Sequence, residues 1–243
     1  MPSLSDVLKS LADLAPLELA EEWDNVGLLV GRTGESVERV MTCLTLTPDV
    51  AEEAIAEQID MIVSHHPLMF RPRQTITFDS AEGALLIKLI QADIAVYSPH
   101  TAYDSAKEGI NAQLAERLGL QNVVPIRPLA PDLGERSPQL AGLGSGRMGQ
   151  LPEPLLLSEL TKLVGERLPS DAGIQFVGDP EQSISKLAIA CGSAAEFQGD
   201  ARRQGADALI TGEARFHACL EVRTHGPGLL ISGHSATARP ACL

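Results

Sequence analysis

Leu4, Val7, Leu8, Leu11 and Leu14 recur every three or four positions, which gathers them on one face of a helix. Ser3-Leu4-Ser5-Asp6 ahead of them reads as a capping box with Asp in place of the usual Glu. The period then changes. A short strand follows Val26, and Val40 to Leu46, Met61 to Val63 and Ile94 to Val96 are short apolar runs bounded by turn formers, the pattern of strands buried on both faces. Between them Thr47-Pro48 opens a helix to about Gln58, because proline is tolerated at the first helical position. Ser80 to Ala92 and about Gly109 to Leu118 read as further helices, the second ended by Gly119.

Downstream, the pattern predicts a helix from about Pro154 to Leu168, a strand at 174–177, a strand at 187–191, a helix through Glu196 to Arg203, and apolar strands at 207–211 and 229–231. Strands that alternate with helices give an α+β, α/β-like fold. Asp207-Ala208-Leu209-Ile210 parallels Asp60-Met61-Ile62-Val63, and the distance from Leu187 to Asp207 equals that from Val40 to Asp60. This spacing predicts two related strand-helix-strand halves. Pro125, Pro128, Pro131, Gly134 and Pro138 mark the boundary, so the expected domains are 1–124 and 125–243. The glycines of Leu143 to Gly149 resemble a phosphate loop only superficially, since no P-loop lysine follows, and a hairpin is expected there.

Composition narrows the function classes. A net charge of −13 without an offsetting Lys/Arg cluster argues against a nucleic-acid phosphate surface or an anionic membrane, and suits cations. The amino terminus lacks an export signal and no apolar stretch reaches membrane length, so a cytoplasmic location is expected. Cys43, Cys191, Cys219 and Cys242 show no CxxC spacing and read as thiols, with Cys43 and Cys191 packed inside strands.

The candidate chemistry lies where strands end. His65 and His66 close the run after Asp60, while His100 and His234 follow Ser98-Pro99 and Ser232-Gly233. Four of six histidines thus stand at strand ends, where open α/β sheets place their sites, and neutral imidazole is a common metal ligand. Asp104 follows His100 by four residues and is either a ligand or a solvated loop carboxylate. Glu213 occupies the place of His66 in the second half. With His217 four residues on, it either lines the cleft or makes a contact at a helix start. Asp24-Asn25 beside Trp23 is either a buried turn or a cover over the site.

Together Trp23-Asp24-Asn25-Val26-Gly27, Ser64-His65-His66-Pro67, His100-Thr101-Ala102-Tyr103-Asp104 with Gly109-Ile110-Asn111, Thr211-Gly212-Glu213 and Gly233-His234 resemble the Nif-three-like dinuclear metal centre proteins. Many of these are known as GTP cyclohydrolase I type 2 homologues. The resemblance spans nearly the whole chain. It implies two α+β halves around a two-metal cleft, a ring of six subunits, and His65, His66, Asp104 and His234 as ligands of two divalent ions, with His100 close by. The ligand types do not choose among Zn, Fe, Mn, Co, Ni and Mg. A family glutamate four residues after the last histidine is Ala238 here, which weakens the second site, and the family's final strand and helix lie beyond Leu243. The implied activity is metal-dependent hydrolysis of a nucleotide-like or other small polar substrate, with a non-catalytic metal-binding scaffold as the alternative.

Overall fold

The structure, a computed structural model, describes residues 1–130, 134–135, 137–168, 170 and 173–239. Contacts divide the chain into two compact units, Met1–Tyr103 and a second that begins at Asp104.

In the first unit, helix α1 (Leu4–Leu14) carries the expected capping box: Ser3 Oγ accepts from the Asp6 amide, and Asp6 accepts from the Ser3 amide at 2.8 Å. Four strands, β1 (Gly27–Val30), β2 (Val40–Cys43), β3 (Met61–Ser64) and β4 (Ala95–Ser98), form a sheet in the order β1-β4-β3-β2. The last three are parallel, and β1 runs antiparallel to β4. Successive residues of a strand point to opposite faces, so Met61, Ala95 and Tyr97 pack with Leu4 of α1. Ile62 and Val96 pack on the other face with Ala51 and Ala54 of α2 (Pro48–Ala56) and Leu85 and Leu89 of α3 (Ala81–Gln91). Both faces are covered, which accounts for the unbroken apolar runs.

The division between units falls inside α4 (His100–Ser105), not at the proline-rich stretch after Val124. Helix α5 (Ile110–Arg117) and β5 (Gln121–Val124) go with the second unit, because β5 pairs with β8 (Arg147–Leu156) and α5 packs on the same sheet. Here β6 (Arg127–Pro128) and β7 (Gly144–Ser145) form a small ribbon, so the glycine-rich stretch pairs with Arg127–Pro128 and does not fold back on itself as a hairpin. With β9 (Gln175–Val177), β10 (Ser183–Ala190), β11 (Ala208–Thr211) and β12 (Gly228–Ile231) the main sheet has the order β5-β8-β10-β11-β12-β9.

The expected start of a helix at Pro154 is displaced. Pro152 and Pro154 lie in the far end of β8, beyond the segment that β5 pairs, and the partner strand β10 has a register irregularity between Ile184 and Lys186. Proline is accommodated at such places because no ladder donor is needed. The helix begins at Leu157, where the Glu159 carboxylate accepts from the Leu156 amide at 2.9 Å.

The expected duplication is present in the topology. Each unit has three parallel strands in the order β2-β3-β4 or β10-β11-β12, closed by an antiparallel strand that precedes them in sequence, β1 or β9. Val40 pairs with Met61, and Leu187 with Ala208, at the same sequence separation.

Candidate metal centre

Parallel strands deliver His65, His66 and His100 to one end of the first sheet. His65 and His66 leave β3 with their amides bonded to the Cys43 and Leu44 carbonyls at 3.0 and 2.9 Å, which holds the pair beside the end of β2. Ser98 Oγ donates to the His65 carbonyl and Ser64 Oγ to that of His66, each at 2.8 Å. The backbone of both histidines is therefore anchored from two strands. His100 follows β4 with φ of +26°, a left-handed conformation that is costly for a residue with a side chain. Such strain persists where surrounding bonds enforce it.

The three rings converge. Their centroids are 5.1 Å apart for His65 and His66, 5.3 Å for His65 and His100, and 5.7 Å for His66 and His100. One ligand atom from each lies within 4.8 Å of the others, so the cluster could hold a metal ion. The donor set is chemically suited to one, since three imidazoles can each offer a neutral nitrogen.

Around the rings the polar partners are specific. His66 Nδ1 is 2.7 Å from Thr45 Oγ1. His100 Nδ1 is 2.8 Å from each oxygen of Asp24, whose side chain is fully buried. Asp24 also accepts from the Thr101 amide at 3.1 Å, the Thr101 hydroxyl at 2.5 Å and the Asn25 amide at 2.9 Å. Burial pushes the Asp24 carboxyl up, but the bonds from His100 and Thr101 outweigh it and the net shift is downward. Asp24, at the end of the turn closed by its amide and the Glu21 carbonyl, thus places a buried carboxylate beside the histidine cluster. Trp23 and Phe70, with centroids 5.5 Å apart, stand about equally far from His100, at 6.2 and 6.1 Å.

The other sequence candidates belong to the second unit. The Asp104 carbonyl accepts from Asn111 Nδ2 at 3.1 Å, and Asn111 Oδ1 accepts from the Cys191 amide at 2.9 Å. Burial pushes the Cys191 thiol well up, and the Asp104 carboxylate beside it adds to the shift. Arg147, itself buried, donates to the carbonyls of Ser105, Ala106, Gly144 and Gly146, fixing the chain just after Asp104. Nothing in the sequence pattern singled out Arg147. His234 begins a short helix after β12 and its Nδ1 is 3.2 Å from Glu213 Oε1. His217 lies in a helix that starts at Phe216, so Glu213 precedes that helix and is not its i,i+4 neighbour on one face.

The chain has relatives among known proteins. The profile of the Duf34/NIF3 (NGG1p interacting factor 3) family matches residues 2–242. The chain belongs to this family. A GTP cyclohydrolase 1 type 2 homolog from Streptomyces coelicolor is 38% identical over 244 residues, covering 100% of this chain and 84% of that protein. NIF3-like protein 1 of Drosophila melanogaster is 34% identical over 97% of this chain and 78% of its own length. Among solved structures, the Staphylococcus aureus protein SA1388 superposes with a TM-score of 0.85 at 28% identity, covering 97% of this chain and 87% of that one. The resemblance in the sequence motifs is thereby borne out, and the α+β architecture is that of the DUF34/NIF3 family. Among the described residues no helix is long and apolar enough to cross a membrane.

Proposed function

We propose that this DUF34/NIF3 protein binds divalent metal ions and hydrolyses a small polar, nucleotide-like substrate. The observation that carries the reading is the convergence of His65, His66 and His100 within 4.8 Å. Asp104 and His234, the further ligands that the family resemblance implies, belong to the second unit. A bound divalent ion would supply Lewis acidity, activating a water and polarising a substrate oxygen. The chain's own residues bind and orient. Trp23 and Phe70, 58% and 51% exposed, offer flat apolar surface next to His100 on which a planar ring can stack. The names of relatives such as the Streptomyces coelicolor protein favour a purine nucleotide such as GTP as the first substrate to try.

The test is metal analysis of the purified protein followed by a hydrolysis screen, with GTP included, in the presence of Zn²⁺, Mn²⁺, Fe²⁺ or Mg²⁺. Metal-dependent turnover that His65→Ala and His66→Ala abolish supports the proposal. Bound metal without turnover on any substrate class favours the second reading, a metal-binding scaffold, for which Ala238 speaks. A methyl group stands there in place of the family's carboxylate, and it is buried. Self-association, with six subunits by the family resemblance, is part of the same proposal. The exposed Phe216 and Leu220 on one helix are suited to it.

A further inference from the structure

We propose that His100 is itself a metal ligand through Nε2, and that Asp24 is the positioning residue that selects this nitrogen. The inference rests on the metal-binding reading above and adds a ligand that the family resemblance places only close by.

The argument starts from the proton on Nδ1. Both oxygens of Asp24 are 2.8 Å from it, and an ionised carboxylate can only accept, so Nδ1 must carry the hydrogen. Asp24 also accepts from Thr101 N, Thr101 Oγ1 and Asn25 N, so its oxygens act as acceptors towards every partner they have here. In neutral imidazole the proton on Nδ1 leaves the lone pair on Nε2. With Nδ1 taken, Nε2 is the atom His100 can offer to the cluster it forms with His65 and His66.

A carboxylate behind a histidine is the usual outer partner of a metal ligand, since it fixes the ring's tautomer and orientation and raises its basicity. Three further observations agree. The rings of His65 and His66 lie edge-on to that of His100, at interplanar angles of 69° and 82°. The positive φ at His100 is a strained start to a helix, retained here because Asp24 bonds both the ring and the next residue's amide and hydroxyl. His66 repeats the device in weaker form, with Thr45 Oγ1 at its Nδ1. Three imidazole donors are a set that Zn²⁺, Fe²⁺, Co²⁺ and Ni²⁺ all accept.

The experiment has one arm that needs no metal and no variant. In the metal-free wild-type protein, ¹⁵N NMR of the histidine side chains is expected to show His100 as the Nδ1–H tautomer, and an Nε2–H tautomer would overturn the proposal. In the second arm Zn²⁺ affinity is measured by competition with a chelating dye for wild type, His65→Ala, His100→Ala, Asp24→Asn and the double variant His100→Ala/Asp24→Asn. His100→Ala and Asp24→Asn should each weaken binding by about 10- to 100-fold. The double variant should be no weaker than His100→Ala alone, because Asp24 acts through that ring. Loss in His65→Ala with none in His100→Ala overturns the inference and leaves metal binding standing. No loss in either overturns the metal reading itself. Should Asp24→Asn fail to fold, the NMR arm and His100→Ala still decide.

Discussion

Asp60 and Asp207 do the same work in the two units: each directly precedes the second parallel strand and accepts from two consecutive backbone amides, just ahead of β2 in the first unit and within β10 in the second. Asp60 Oδ2 is 2.7 and 2.9 Å from Glu38 N and Arg39 N, and Asp207 Oδ2 is 2.9 and 2.8 Å from Ser185 N and Lys186 N. Each carboxylate ties the entry of one strand to the chain of its neighbour and thereby sets the register of the parallel pair. Asp60→Ala and Asp207→Ala should each lower stability by about 1–2 kcal/mol, read as a fall in the urea midpoint. Two unchanged midpoints would show that the strands keep register without them.

Acid should unpick Asp24. Its folded pKa lies below the ordinary value, so the unfolded chain takes up the proton first as pH falls. The stabilisation is present in full well above the unfolded pKa of about 3.9 and is lost as pH drops through the folded pKa. Asp24→Asn does not titrate. Its stability deficit relative to wild type should therefore narrow from about pH 5 downward. Urea midpoints across that range check this, and a gap that widened in acid would contradict the assignment.

Cys191 should resist alkylation in the folded protein. Burial and the Asp104 carboxylate hold it as the thiol, while the thiolate is the reactive form. Iodoacetamide at mildly alkaline pH should leave Cys191 unlabelled and should label it in urea, with peptide mass spectrometry as the readout. Prompt labelling of Cys191 under native conditions would mean that its surroundings open readily.

Ala238 bears on how many ions the chain retains. Fewer than two per chain are expected, and Ala238→Glu should raise the number. The residue is only 1% exposed, so a carboxylate there must be buried, which is costly unless a cation meets it. The variant should melt below wild type without metal and gain more from added Zn²⁺ or Mn²⁺. Two tightly held ions in the unmodified protein, or a variant indifferent to metal, would dismiss the role given to this position.

What could be read in the sequence follows from the range of each signal. Buried strands and their histidines are local, so Met61 to His66 announced both the strand and the histidine pair at its end. The duplication was legible because Asp60 and Asp207 sit at matched distances from Val40 and Leu187. The partner of His100 was not legible as such, since Asp24 lies in a loop far away in sequence and spacing carries no information across such a separation. Pro154 misled because proline signals a helix start as readily as a strand end beyond its partner. Glu213 and His217 have helical spacing, but the helix begins only at Phe216.

Gly212 gives the likeness of the two units a limit. Following β11 as His65 follows β3, it has no room for even a methyl group: a Cβ would come within 2.7 Å of the Gly192 carbonyl, 2.8 Å of Thr237 Oγ1 and 2.9 Å of the His234 backbone. A histidine there would collide with main chain, which cannot swing aside as a flexible side chain can. The same strand end has thus been committed to two trades, displaying imidazoles in one unit and seating a neighbouring loop tightly in the other. No single substitution at Gly212 could convert the second into a replica of the first.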